Sequence, residues 1–224
     1  MLNKKLEIYS NRISIDFVKN FFKIFPNNLP NYFKDIPKNC PFSRFKFNNT
    51  LRTCGGIINY YKKAIVFLSP FDIEFVIEND QVFIKFGSVN FDGAMIHPND
   101  QFLNYVKNKK YLCISKLMFG IFLKSNVPLL ITNPTWALND FEILPGIINA
   151  ETAMELNLFI PIKKENKNIF IKQNTPLCII HMETDKNIDI VFSKNKYDSS
   201  SENGLLYIFS SLKNKLLKNK YSFK

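Results

Sequence analysis

Apolar residues alternate with polar residues, or gather in short runs, along most of the chain between residues 51 and 193. Residues 71–77 and 81–86 flank the polar tripeptide at 78–80, a pattern that predicts a β-hairpin. Residues 111–123 predict a pair of strands or one long strand interrupted near Gly120. Further apolar runs predict strands at 57–61, 64–68, 127–131, 155–160, 169–171, 177–180 and 188–192, and residues 102–106 form another apolar run.

The stretch from Gly146 to His181 carries the clearest pattern of strands and turns. It contains three successive predicted strands, which are separated by polar turns at residues 163–168 and 172–176. This arrangement is typical of a β-barrel. The sequence therefore predicts a mainly β fold, either a β-barrel or a sandwich-like domain, over residues 51–193.

The N-terminal part, residues 1–50, is expected to form a separate unit. Apolar residues between Asp16 and Phe25 suit a short amphipathic helix, which Pro26 would end. The density of proline in residues 26–50 predicts an extended, irregular segment. Aromatic residues within this segment would anchor it, so we expect a helix followed by a Pro-rich segment that wraps the β-rich domain.

The C-terminal part is expected to consist of a polar linker, residues 194–204, and a basic amphipathic helix, residues 205–224. Apolar positions of this helix recur at helical spacing, and they are flanked by Lys213, Lys215, Lys218 and Lys220. Such a helix can dock on a protein, a membrane surface or nucleic acid. The alternative is a terminal helix that covers an open sheet edge and keeps its lysines in solvent.

The chain carries 30 basic and 19 acidic residues, which gives a formal net charge of +11. One interpretation is attraction to nucleic acid or another polyanion. The other is codon bias, because the abundant Lys, Asn, Ile and Phe are residues of AT-rich codons. Arginine, the better bidentate ligand for phosphate, occurs only at Arg12, Arg44 and Arg52. Codon bias is therefore the favoured interpretation.

The cysteine pattern and the motif content indicate no cofactor and no metal. The four cysteines form no CxxC pair and match no zinc spacing, and no nucleotide-binding loop or hydrolase motif is present. The N-terminus lacks the apolar core of a signal peptide. No run of about 18 apolar residues predicts a transmembrane helix, so a reducing cytoplasm is the expected compartment.

Several short motifs occur in a characteristic order along the chain. They are His97 with Gln101, Pro134-Thr-Trp136, Gly146-Ile-Ile-Asn149 and Thr175-Pro-Leu177. Their order resembles that in a group of uncharacterised β-rich proteins from marine T4-like phages. The resemblance extends over about residues 30–185. It implies a single β-rich domain of phage or virus origin, located in the host cytoplasm or the virion, and it implies no activity.

Gly146-Ile-Ile-Asn149 also resembles the Gly-x-Ile-Asp segment of the dUTPase and dCTP deaminase family. That resemblance implies a barrel with a nucleoside pocket near Asn149, Glu151 and Glu155. Asn149 stands where the family has a catalytic-site Asp, and an amide cannot act as a general base. The Arg-x-Ala-Gln pattern and the Gly-Arg-Ser motif of the family are absent from this sequence, so the resemblance implies altered chemistry.

Histidine, tryptophan and cysteine residues provide further candidate sites. His97 and the segment His181-Met-Glu183 could supply two imidazoles and a carboxylate to iron, although a turn and a polar strand end explain them more simply. Trp136 is a candidate binding anchor or a plug for the end of a barrel. Cys54 precedes two glycines and could be a nucleophile, or the glycines could form a bulge.

The expected function is therefore that of a non-catalytic structural or interaction protein of phage or virus type. Its partners would be proteins, further copies of itself or a virion assembly. The alternative is a dUTPase-like nucleotide-binding protein or enzyme with altered chemistry. The candidate ligand-binding residues are Asn149, Glu151, Glu155, His97, Gln101 and Trp136.

Overall fold

Strands make up 61% of the residues that the structure describes, and one short α-helix accompanies them. The computed structural model describes residues 4–24, 64–87, 91–97, 111–134, 139–165, 168–182, 184 and 188–194. The predicted mainly β fold is confirmed. Four predicted features lie outside the described residues, namely the Pro-rich segment, the strand at 57–61, most of the linker and the C-terminal helix.

The first sheet is built around one long strand, β7, which covers Tyr111–Ser125. β10 (Met154–Lys163) pairs with one edge of β7. β1 (Lys4–Ser10) and β6 (Ala94–His97) both pair with the opposite edge, one after the other along β7. β13 (Ile188–Phe192) extends the sheet by pairing in parallel with β1.

The second sheet is antiparallel throughout and has the strand order β2-β3-β12-β8-β9. Its strands are β2 (Phe22–Ile24), β3 (Ile65–Leu68), β8 (Leu129–Thr132), β9 (Gly146–Ile148) and β12 (Pro176–Met182). Apolar side chains dominate β3 and β12, both of which lie inside the sheet. β2 and β9 form its two edges.

The third sheet contains the predicted hairpin, β4 (Ile73–Glu78) and β5 (Gln81–Phe86), and the short strand β11 (Ile169–Ile171). The two residues of the hairpin loop, Asn79 and Asp80, have φ angles of 49° and 62°. Positive φ at both positions is the geometry of a type I′ turn, whose twist matches that of the flanking strands. The prediction of a hairpin over residues 71–86 is therefore confirmed in its type and nearly in its bounds.

The three sheets share one hydrophobic core, and aromatic rings within this core connect the sheets. The odd-numbered residues of β7 from 113 to 125 are all buried and face this core. The ring of Phe119 lies 5.5 Å from that of Phe67 in β3 and 6.3 Å from that of Phe91. Phe91 in turn lies 5.2 Å from Phe86 at the end of β5. Aromatic contacts therefore connect β7 to both other sheets.

No closed β-barrel, one of the two forms predicted for this domain, is found in the part of the chain that the structure describes. Consecutive strands of the stretch 146–182 do not pair with each other, because β9 and β12 lie in the second sheet, β10 in the first and β11 in the third. β11 instead extends the buried face of the hairpin, where Ile169 pairs with Phe75 and Ile171 pairs with Ile73. The turns mark where strands end, but they carry no information on which strands pair.

The predicted helix at residues 16–25 is shorter than expected. The α-helix α1 covers only Ile15–Val18, and a 3₁₀ turn over Lys19–Phe21 follows it. The chain then enters β2, where Phe22 pairs with Phe67 and both side chains are buried. Pairing with the second sheet therefore overrides the helical spacing of the apolar residues.

Candidate functional site

The structure describes four of the six predicted site residues, and Gln101 and Trp136 lie outside the described residues. His97 is the last residue of β6, where it pairs with Ile114, and its ring lies 5.9 Å from that of Phe159. The turn predicted at this histidine is therefore wrong for His97 itself, which lies in a strand, and residues 98–101 lie outside the described residues. Asn149 and Glu151 are exposed after β9, whereas Glu155 is half-buried in β10.

A polar cleft of about 310 Å³ lies beside the first half of β1 and the end of β7. It is lined by Lys5, Glu7, Lys124, Ser125, Asn126 and Glu151. Of the four described residues among the predicted site residues, Glu151 alone lines this cleft. The structure therefore places Glu151 in this cleft and Asn149 and Glu155 outside it.

Glu7 is the best-connected charged side chain of the polar cleft. Its Oε1 lies 2.6 Å from Nζ of Lys5, and its Oε2 accepts a hydrogen bond from the hydroxyl of Tyr9. The hydrogen bond from Lys5, followed by that from Tyr9, lowers the pKa of Glu7. Glu7 also pairs with Lys124 across the sheet, so this carboxylate stays ionised and does not act as a proton donor at neutral pH.

The two histidines belong to different sheets, His97 to the first and His181 to the second. Burial lowers the pKa of His181, which keeps its imidazole neutral at physiological pH. Within the described ranges, no three His, Cys, Asp or Glu side chains are grouped closely enough to hold a metal ion. The third residue of the iron-site hypothesis, Glu183, and the candidate nucleophile Cys54 lie outside those ranges.

Two described cysteines, Cys113 and Cys178, are buried free thiols. Burial raises the pKa of Cys113 to about 11 and also raises the pKa of Cys178. Both thiols are therefore protonated at neutral pH. Since the thiolate is the reactive form, these two residues act as small apolar side chains.

An apolar cleft of about 490 Å³ separates the first half of β5 from β6 and the start of β7. Its lining residues are Asp80, Gln81, Val82, Phe83, Ile96, Leu112 and Cys113. Phe83 is 48% exposed and Ile96 is 42% exposed, and the neighbouring Met95 is 48% exposed. The volume of this cleft is within the range of small-molecule sites, about 300–1,000 Å³.

Sequence reasoning did not identify this cleft, although the hairpin contains one signal of it. Val82, Ile84 and Phe86 occupy the inward positions of β5, and Gln81 and Lys85 occupy outward positions. Phe83 also occupies an outward position, where the alternation of the strand predicts a polar side chain. The other side of the cleft was not predictable in this way, because four residues of β6 are too few to establish an alternating pattern.

Comparison with protein-family models, with curated proteins and with solved structures finds no match for this chain. None of the helices in the described ranges has the length and apolar character needed to cross a bilayer. The class that the observed fold defines is a β-rich domain of three sheets with a shared core. The resemblances to phage proteins and to dUTPases stay predictions.

Proposed function

We propose that this protein is a non-catalytic interaction protein and that the apolar cleft between β5 and β6 is its docking site for another protein. The observation that supports this proposal is the exposure of Phe83 and Ile96 on opposite sides of one cleft. Removing apolar surface from water is favourable by about 25 cal/mol per Å². Phe83 and Ile96 would therefore contribute to binding as soon as a partner covers them.

The location of the cleft favours a protein partner. β5 and β6 are both edge strands within the described part of their sheets, and edge strands offer backbone hydrogen-bonding groups as well as side chains. Clustered apolar residues on such a surface commonly mark a protein interface. A phage or virus origin, with the host cytoplasm or the virion as location, remains part of this proposal.

Site-specific photocrosslinking tests the docking site. A photoreactive residue is introduced in the full chain as Phe83→p-benzoylphenylalanine, and the matched control is Ile147→p-benzoylphenylalanine, because Ile147 is exposed on the second sheet. We expect one discrete adduct at position 83 in cells that produce the protein and no such adduct at position 147. The additional substitution Ile96→Asp should abolish the adduct. Equal adducts at both positions, or none at position 83, would contradict the proposal.

A second candidate function is nucleotide binding at the polar cleft. The ammonium groups of Lys5 and Lys124 line this cleft and could contact phosphate, while Glu151 could contact a sugar or a base. A thermal-shift series with deoxynucleoside triphosphates and Mg²⁺ tests it. A rise in the melting temperature that Lys124→Ala removes would support this function. No shift at millimolar nucleotide would refute it.

A further inference from the structure

The outer edge of β5 carries backbone groups that have no partner in the described part of the chain. In an antiparallel pair, every second residue turns its N–H and C=O away from the partner strand. Glu78 and Gln81 close the two-residue loop as a bonded pair, so the outward groups of β5 belong to Val82, Ile84 and Phe86. No hydrogen bond from a described residue reaches the outer edge at these positions.

β5 is also the least protected long edge among the described strands. The longer edge strand β10 contains Pro161 and two irregularities in its pairing with β7, and the N–H of Leu144 donates a hydrogen bond of 2.8 Å to the carbonyl of Phe159. Proline, bulges and a covering segment are the usual devices that block an edge against another strand. β5 has six residues and a regular register with β4, and within the described ranges it has no proline, no bulge and no covering segment. Its one protective feature is the charge of Lys85.

The outer face of the third sheet specifies which side chains a new strand would present. In one row across this face, Phe170 pairs with Glu74, and Glu74 pairs with Lys85. In the next row, Val76 pairs with Phe83. Lys85 is exposed and forms no ion pair with a described residue. Opposite charges and apolar pairs are the favourable cross-strand neighbours, so the rows would continue with an acidic and an apolar residue.

We infer that the partner contributes an extended segment that adds to β5 as a new edge strand. It has an acidic residue opposite Lys85 and an apolar residue opposite Phe83, two positions apart. This inference rests on the proposed function, since it names the occupant of the same cleft. Main-chain hydrogen bonds to Val82, Ile84 and Phe86 hold the segment, and the side chains at the two positions select it. Its apolar residue also closes the cleft above Phe83.

Synthetic peptides test the charge rule. The probes are fluorescein-labelled peptides of eight residues with Glu and Leu two positions apart in a threonine background, made in both orders because the strand can run parallel or antiparallel. The control peptides carry Lys in place of Glu. By fluorescence anisotropy, we expect the wild-type chain to bind the tighter of the two Glu peptides about threefold to fivefold more tightly than the matching Lys control peptide. Lys85→Glu should reverse the preference, whereas Lys172→Glu, at an exposed lysine outside the strand, should not.

Methylated peptides test the backbone pairing without any change to the protein. N-methyl groups at alternate residues of the Glu peptide remove the N–H donors that face β5, and the control peptide carries them in the opposite phase. We expect the peptide whose methyl groups replace the N–H donors that face β5 to bind at least tenfold more weakly than the unmethylated peptide. The control peptide should keep its affinity. Equal loss in both phases, no binding by either Glu peptide at 1 mM, or an unchanged preference in Lys85→Glu would overturn the inference.

These outcomes are separable from failure of the docking site itself. If the adduct at position 83 forms and requires Ile96, but the peptides show no charge or phase dependence, the docking site stands and the strand addition is wrong. If no adduct forms at position 83, the docking site is wrong. Sedimentation that detects a dimer of the wild-type chain, lost in Phe83→Asp, would replace the partner segment by a second copy and overturn the inference.

Discussion

Arg12 lies across Gly120, so that a Cβ atom added to the glycine would come within 2.5 Å of Cγ of the arginine. Gly120 has a φ of +65° and lies in β7 between the part that pairs with β1 and the part that pairs with β6. The guanidinium of Arg12 donates a hydrogen bond to the carbonyl of Asp92, close to the start of β6. Arg12 therefore bridges the two strands that share one edge of β7.

Gly120→Ala should destabilise the protein by about 2 kcal/mol or more, because the new Cβ meets both an unfavourable φ and the stem of Arg12. The measurement is urea unfolding followed by circular dichroism. Gly87→Ala is the matched control, since Gly87 also has a positive φ but leaves ordinary contact distances around an added Cβ. A cost at Gly120 no larger than the cost at Gly87 would contradict the role of Arg12.

Asp80→Gly should stabilise the hairpin by about 0.5 kcal/mol, because glycine adopts the positive φ of a type I′ turn without strain and Asn-Gly is a preferred pair there. The control is Asp80→Ala, which should destabilise the protein, since alanine adopts this conformation less readily than aspartate. The melting temperatures of the three chains provide the comparison. Lower stability of the glycine variant would show that the side chain of Asp80, and not the turn, is the important feature.

The buried thiols predict a loss of stability at high pH. Burial raises the pKa of Cys113 to about 11 and that of Cys178 as well, whereas the unfolded thiols ionise at about 8.5. The unfolded state therefore loses protons first, and the free energy of unfolding falls as pH rises above about 8.5. Cys178→Ala should lower the stability at neutral pH but flatten its fall between pH 8.5 and 11. If the fall of the free energy of unfolding with pH is as steep in Cys178→Ala as in the wild-type chain, the buried thiol of Cys178 is not its cause.

His181 predicts the opposite dependence at acidic pH. Burial lowers its pKa in the folded state, so the unfolded state takes up a proton first as pH falls below about 6.5. The stabilisation from the neutral imidazole is thus present above pH 6.5 and lost below it. His181→Gln should reduce the slope of stability against pH between about 6.5 and 5, measured by urea unfolding. If the slope of stability against pH in His181→Gln equals that of the wild-type chain, His181 does not cause the loss of stability at acidic pH.

Phe83 and Phe75 provide a test of which aromatic residues hold the fold. Phe75 in β4 is fully buried, and its replacement by alanine should cost about 3–5 kcal/mol. Phe83 in the adjacent strand is half exposed, so Phe83→Ser should change the free energy of unfolding by less than about 1 kcal/mol. If Phe83→Ser destabilises the protein as much as Phe75→Ala, the side chain of Phe83 belongs to the core and the proposed docking site loses its main support.

The positions of the strands in the sequence were more predictable than the pairing between the strands. The hairpin β4–β5 follows from alternation and a two-residue loop, both of which are local. β1 carried a usable signal, since Leu6 and Ile8 alternate with charged residues and are fully buried, but the strand was not predicted. The pairing of β11 with β4 has no local signal, because it depends on which buried face remains uncovered after the hairpin has formed.

The candidate site was predictable only in part, for a related reason. Glu151 could be singled out from its neighbourhood in the sequence, yet the lysines beside it come from β1 and from the end of β7. The apolar cleft combines β5, β6 and β7, and apolar residues that line a cleft look the same in sequence as residues that fill a core. Phe83 is the one lining residue that the sequence could have indicated, because it is an aromatic residue at a position of β5 where the alternation predicts a polar side chain.

The position of β1 in the first sheet has a consequence for how the chain folds. β1 is the first described strand to leave the ribosome, yet its two neighbours are β7 and the last described strand, β13, with Lys4 paired to Ile188. The sheet can therefore be completed only after nearly all of the strands have been synthesised. Contacts between residues so distant in sequence slow folding, and until they form, the exposed edges of β1 and β7 are open to pairing with other chains.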